Sequence, residues 1–119
     1  MTKIESLNKI TKEIIDCNKC TRLRQVTPYP MSYICYNDLL KVKLFIIGRN
    51  PGLENDHSKI KLENFTDIYH KLWWECKFGK YIRDELGDNF IKENMFFTNI
   101  CKCSSPNNST LEFQEKENC

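Results

Sequence analysis

Two short apolar blocks, residues 42–47 (VKLFII) and 95–100 (MFFTNI), most constrain how this chain can fold. The length and β-branched content of the first block favour a buried strand, and the second has the same character. Apolar residues at helical spacing predict helices over residues 3–16 and 64–77, with a shorter helix ending near Gly87. Because the order is helix, strand, helix, strand, we predict an α/β layer with parallel strands.

Length and composition bound the class of protein. A chain of 119 residues forms one domain at most, and 40 % apolar with 29 % charged residues is ordinary for a globular protein. The net charge of +2 permits a nucleic-acid partner without arguing for one, because dedicated binding domains are usually far more basic. The sequence has neither a membrane-spanning apolar run nor an apolar signal core, so we expect an intracellular protein.

Seven cysteines are many for a protein expected in a reducing compartment, where clustered cysteines more often bind metal than form disulfides. Cys17 and Cys20 share one tight loop and could grip one metal centre, with a spacing that serves zinc and iron–sulfur sites alike. Cys103 and Cys119 are the distant partners. Cys101 rivals Cys103, because the two share a face of an extended strand and alternation cannot separate them.

A turn-forming string, residues 48–52 (GRNPG), directly follows the first predicted strand. Ligands of parallel α/β sheets bind beyond the carboxyl ends of the strands. A Gly- and Pro-rich turn there lets the backbone approach a ligand, and the side chain of Asn50 would face it. The same string also suits an ordinary turn, so by itself it leaves both interpretations open.

Together these motifs resemble the family 4 uracil-DNA glycosylases, the iron–sulfur branch of that superfamily. Cys17, Cys20 and Leu23 stand close to the family's C-x2-C-x-L motif, with one more residue before the leucine. Residues 48–52 stand where the family has a G-x-x-P-G loop followed by acidic residues. Residues 98–108 carry the family's T-N, then K-C, then a loop with proline and asparagine ahead of a last cysteine.

Two departures from the family pattern shape what the resemblance implies. Arg49 stands where the family 4 loop usually has an acidic residue. The loop is thus similar to the G-x-N-P-G loop of the mismatch-specific and single-strand-selective branches, whose asparagine holds the attacking water. The resemblance runs over residues 4–119 and stops before the superfamily's histidine-bearing loop. It implies an incomplete three-layer α/β/α fold with a central parallel sheet, residues 1–119 being the N-terminal portion of a single domain: a fragment, a truncated frame or a decayed relative.

The implied activity is DNA repair by hydrolysis of the N-glycosidic bond of uracil, with DNA containing uracil or another deaminated base as the partner. On the resemblance, Asn50 positions the attacking water and Asn99 reads the pyrimidine edge. Phe65 either stacks on uracil or is an ordinary core residue. The remaining substrate-binding residues are Gly48, Arg49, Pro51 and Gly52.

The resemblance also implies a structural 4Fe-4S cluster with four cysteine ligands, zinc being the alternative. The ligands are Cys17, Cys20, Cys103 and Cys119. Lys102 precedes Cys103 as in the family's K-C motif, which favours Cys103 over Cys101. A second class of function stays open, a cluster- or zinc-bearing nucleic-acid-binding module without catalysis. The absent histidine loop favours this module, whereas the GRNPG loop favours the enzyme.

Overall fold

The computed structural model describes residues 1–51, 61 and 63–119. Within them, helices and strands alternate along the chain as an α/β protein requires. The helices are α1 (Lys3–Asp16), α2 (Thr21–Arg24), α3 (Phe65–Glu75), α4 (Lys77–Leu86), α5 (Asp88–Asn94) and α6 (Phe113–Asn118). The strands are β1 (Ile34–Cys35), β2 (Leu44–Gly48) and β3 (Met95–Asn99). Short 3-10 turns cover Leu39–Lys41 and Pro106–Asn108.

The described strands form one small sheet in the order β1-β3-β2. β2 and β3 run parallel, in a register that pairs Leu44 with Met95 and Gly48 with Asn99. β1 is antiparallel to β3, with Ile34 opposite Phe97. Strand β3 is therefore central, and the carboxyl ends of β2 and β3 meet at one edge of the sheet.

The core lies on one face of this sheet, against α3. Alternation along β3 turns Met95 and Phe97 inward, where they pack with Tyr69 and Trp73 of α3 and with Ile34. The rest of the buried cluster is Met31 and Ile91. Burial of these side chains supplies the main stabilising term, at roughly 25 cal/mol for each Å² of apolar surface removed from water.

The opposite face of β2 is exposed. Phe45 and Ile47 alternate with the inward residues of the strand, and they are 66 % and 65 % exposed. Phe45 also lies next to Phe96 of β3, with ring centroids 5.2 Å apart, and Phe96 in turn stacks on Tyr33 at 5.1 Å. A strip of apolar and aromatic side chains therefore faces outward on this side of the sheet.

The helix predicted over residues 3–16 is confirmed as α1. Its N-terminus is capped by a reciprocal capping box between Thr2 and Glu5. The two predicted strands and the helix 64–77 are also confirmed, each within two residues at either end. Pro28 and Pro30 predict a loop over residues 21–37, and this prediction is wrong in part, because the segment includes α2 and β1. None of the described helices is long and apolar enough to cross a lipid bilayer.

Candidate active site and cysteine cluster

A cavity of about 400 Å³ opens at the carboxyl ends of β2 and β3, between the sheet and helices α3 and α4. Its position is the one that parallel α/β sheets use for ligands. The described residues lining it are Met31, Gly48, Arg49, Asn50, Pro51, Tyr69, Leu72, Trp73, Cys76, Lys77, Phe78, Phe97 and Asn99. Five of the seven residues expected to act on substrate are among them, arriving from two neighbouring strand ends.

Gly48 and Asn99 lie opposite each other in the parallel register. A Cβ atom at position 48 would collide with Oδ1 of Asn99 and would lie 3.2 Å from Cζ of Phe97. Glycine therefore allows the buried Asn99 carboxamide to approach the backbone of β2. The chain is tied on the other side of Asn99 by Lys102, whose ammonium donates to the Asn99 carbonyl and, at 2.8 Å, to Thr98 Oγ1.

Asn50 joins the loop after β2 to the segment after β3. Arg49 Nε donates to Asn50 Oδ1 at 2.8 Å, and Asn50 Nδ2 donates to the Cys103 carbonyl at 3.2 Å and to Ser105 Oγ at 3.5 Å. Backbone bonds run alongside, since the N–H groups of residues 100 and 101 donate to the carbonyls of Gly48 and Arg49, both at 2.9 Å. Two backbone hydrogen bonds thus tie residues 48 and 49 to the segment after β3, and the side-chain hydrogen bonds hold the Asn50 carboxamide in one orientation.

Phe65 lies away from this cavity. Its ring stacks on Tyr29, with centroids 5.6 Å apart and planes 30° from parallel, and it packs at the margin of the core. It borders a second, smaller cavity together with Thr11 and Ser32. Gly52, which was also expected to contact substrate, lies outside the described residues, as do the acidic residues that follow it.

The aromatic side of the cavity was missed by the sequence reasoning. Tyr69, Trp73 and Phe97 were expected only as core residues, and Phe78 and Lys77 carried no signal at all. The Tyr69 hydroxyl donates to the Tyr29 carbonyl at 2.6 Å, and burial raises its pKa, so it stays neutral. Helical periodicity identified the buried face of α3, but it could not show that part of that face borders a cavity.

The cysteines form a second centre next to the first. Cys20, Cys101 and Cys103 are buried together with Leu23 and Leu111. The Cys101 thiol donates to the Glu115 carbonyl at 3.5 Å, and Cys17 and Cys119 lie close enough to the buried cysteines to influence their titration. The five candidate cysteines, from segments almost 100 residues apart in the chain, are therefore neighbours in the fold.

Burial dominates the electrostatics of these thiols. It raises the pKa of Cys103 to about 12, helped by neighbouring cysteines and opposed by the positive charge of Arg24. Burial and the neighbouring Cys119 thiol raise the pKa of Cys101 in the same direction. Within the described residues, no three or more Cys, His, Asp or Glu side chains are arranged so that they could hold a metal ion. A metal would have to displace protons and draw the sulfurs together.

Helix α6 brings Cys119 to this centre, and an ion pair that no sequence pattern indicated holds the helix there. Arg22 of α2 donates to the Glu115 carboxylate from Nε at 3.0 Å and from a terminal nitrogen at 2.5 Å. The guanidinium lowers the pKa of Glu115, whose side chain is buried. Asn118 adds a hydrogen bond from Nδ2 to the Cys20 sulfur at 3.4 Å.

Comparison with known proteins agrees with the resemblance seen in the motifs. The chain is 29 % identical over 116 residues, or 98 % of its length, to the type-4 uracil-DNA glycosylase of Archaeoglobus fulgidus. It is 28 % identical over the same number of residues to the type-4 uracil-DNA glycosylase of Sulfurisphaera tokodaii. The chain spans about half the length of these relatives, 51 % and 46 % respectively. No protein-family model matches it. The resemblance to type-4 uracil-DNA glycosylases is thereby confirmed.

Proposed function

We propose that this chain acts in the hydrolysis of the N-glycosidic bond of uracil in DNA, as the N-terminal portion of a three-layer α/β/α glycosylase domain. One observation carries the proposal: Asn50 and Asn99, from the ends of two parallel strands, line the same cavity. The two relatives are named type-4 uracil-DNA glycosylases, which points to the same chemistry. On the resemblance to the superfamily, Asn50 is expected to position the attacking water and Asn99 to recognise the base.

The substrate base has to leave the duplex before its glycosidic bond can be reached. Flipping it into a pocket costs a few kcal/mol, least where the base is mispaired. The cavity of about 400 Å³ is lined largely by apolar side chains that can receive a base, and polar groups such as Asn99 can recognise its edge. Asn99 offers a donor and an acceptor on one carboxamide, which matches the edge of a pyrimidine.

Bond cleavage puts positive charge on the sugar and negative charge on the departing base. Arg49 and Lys77 both line the cavity, so their positive charges favour an anionic leaving group and the adjoining phosphates. Asn50 cannot act as a base, but its carboxamide can orient a water molecule. Its hydrogen bonds to Arg49 and to the Cys103 carbonyl fix that orientation before substrate arrives.

We further propose that the cysteine centre holds a 4Fe-4S cluster, with zinc as the alternative. Thiols are ligands of both groups, and the four candidate thiols approach one another from distant parts of the chain, but the sulfurs would have to draw closer together to bind either group. The residues that would hold it are Cys17, Cys20, Cys103 and Cys119. When bound, such a group would supply cross-linking rather than reaction chemistry, tying α1 and α2 to the segment after β3. Asn50 contacts the carbonyl of one of these ligands, so the loop at the cavity would depend on that cross-link.

A second candidate is a nucleic-acid-binding module without catalysis. It is favoured by the Asn50 carboxamide, whose oxygen and nitrogen are both already engaged by protein groups. In such a module, Asn50 would serve only to join two loops.

Release of uracil decides between the two candidates. The purified chain, prepared anaerobically with its metal, is incubated with a single-stranded oligonucleotide containing one deoxyuridine, and free uracil is measured by mass spectrometry. Asn50→Ala should reduce release by about 10²–10³-fold, as expected for a group acting mainly in the transition state, while binding of the oligonucleotide changes little. Phe45→Ala, on the far face of the sheet, is the matched control. If the unaltered chain binds the oligonucleotide but releases no uracil, the chain by itself acts as the binding module and not as the enzyme.

A further inference from the structure

An unpaired base held in a protein pocket lies against an aromatic face, because every base has a π-surface that stacks on one. Four aromatic residues line the described part of the cavity, on α3, α4 and β3. They are Tyr69, Trp73, Phe78 and Phe97. Which of them can accept a base depends on how much of each ring is free.

Three of these rings belong to the core. Tyr69, Trp73 and Phe97 are at most 5 % exposed. Trp73 packs on Phe97 with centroids 5.5 Å apart, and the Tyr69 hydroxyl is fixed by its hydrogen bond to the Tyr29 carbonyl. These rings form the floor of the cavity and have little face left to offer.

Phe78 differs from them. It lies in the first turn of α4, lines the cavity, and is 46 % exposed. Among the described residues its ring contact is with Phe97, with centroids 6.1 Å apart and planes 51° from parallel, so the two rings meet at an angle and not face to face. A flat ligand that covers an apolar ring half exposed in the lining of a cavity removes apolar surface from water, which favours binding.

Phe65, the residue that sequence similarity nominates for stacking, is less suited. One face of its ring is covered by Tyr29, and it borders the smaller cavity rather than the one that holds Asn50 and Asn99. We infer that Phe78, not Phe65, is the ring on which the flipped base stacks, with Asn99 reading its edge. The inference rests on the proposed function, because it assumes that a base enters this cavity.

The test compares two single-stranded oligonucleotides by fluorescence anisotropy. One carries a single 2′-fluoro-2′-deoxyuridine, whose fluorine slows cleavage, and the other carries a tetrahydrofuran abasic site at the same position. The dissociation constant of the abasic oligonucleotide divided by that of the uracil analogue reports what the base itself contributes to binding. Phe78→Ala should lower that ratio by about 5- to 150-fold, the range expected for one base–aromatic stack. Phe78→Trp should restore it, and Phe65→Leu should leave it unchanged.

The possible outcomes distinguish this inference from the proposed function on which it rests. If the unaltered chain binds both oligonucleotides equally, no base enters the cavity, and the proposed function and the inference are both wrong. If the unaltered chain prefers the uracil analogue and Phe78→Ala keeps that preference, only the inference is wrong. Loss of the preference in Phe65→Leu with retention in Phe78→Ala would return the stacking role to Phe65. Because Phe78 is half exposed, circular dichroism should show the same fold in its variants.

Discussion

Replacing Gly48 by alanine should damage the site far more than the fold. The added Cβ would overlap Oδ1 of Asn99 and press on Cζ of Phe97 at 3.2 Å. The end of the Asn99 side chain can turn away, whereas the Phe97 ring is held in the core. We therefore expect a loss of stability near the lower end of the ~1–3 kcal/mol typical of overpacking, or a few °C in melting temperature.

The displaced carboxamide is the larger effect. If Asn99 reads the base, turning it away removes a well-placed group, which costs about 10²–10³-fold in uracil release. Thermal unfolding by circular dichroism and the uracil-release assay measure the two effects on the same preparation. A double-mutant cycle with Asn99→Ala supplies the control, because alanine at position 99 removes the atom that position 48 would strike.

In the cycle, Gly48→Ala should cost little extra once Asn99 has been replaced. Additive losses in the two variants would refute the steric argument, since the two side chains would then act independently. Uracil release unchanged in Gly48→Ala alone would show that the position of the Asn99 carboxamide does not matter to the reaction.

Three further predictions follow from the cysteine centre, the α2–α6 contact and the bare sheet face. Cys103→Ser should lose bound iron or zinc in elemental analysis while Cys101→Ser retains it; the reverse result would assign the ligand to Cys101. Because Arg22 lowers the pKa of Glu115, their contact stabilises the fold above the ordinary carboxyl pKa of about 4.5 and is lost as pH falls below it. The melting temperature should therefore fall between about pH 5 and 3, and Glu115→Gln should flatten that fall; an equally steep fall in the variant would contradict this account. The exposed apolar face that carries Phe45 and Ile47 should promote association between copies of the chain, and Phe45→Lys should reduce it in sedimentation velocity runs; equal association in both would exclude this face.

How much of the molecule the sequence could predict depends on the range of the contacts involved. Strands β2 and β3 and helix α1 follow from local periodicity, and the position of Asn50 at a strand end follows from the order of elements. The stacking of Phe65 on Tyr29 does not, because it joins residues from separate loops and helices. Motif similarity likewise nominated Phe65 by its distance from the GRNPG loop, which says nothing of which face of α3 looks into the cavity.

The cysteine centre shows the same division. The two-residue interval between Cys17 and Cys20 can be read along the chain, but the placement of Cys119 depends on the Arg22–Glu115 ion pair, across 93 residues. Alternation left Cys101 and Cys103 as equals, and in the fold both are indeed buried in one cluster. Strand β3 ends at Asn99, so both cysteines lie beyond the strand, and only contact with a metal distinguishes them.

The two backbone hydrogen bonds that anchor residues 48 and 49 to the segment after β3 have a kinetic consequence. The amide protons of residues 100 and 101, bonded to the Gly48 and Arg49 carbonyls, should exchange with solvent as slowly as those of the sheet itself. Residues 48–50, anchored in this way, form a fixed edge of the cavity. A ligand that reaches this edge meets a surface already in its final shape, so its rate of binding there should be governed by diffusion and charge.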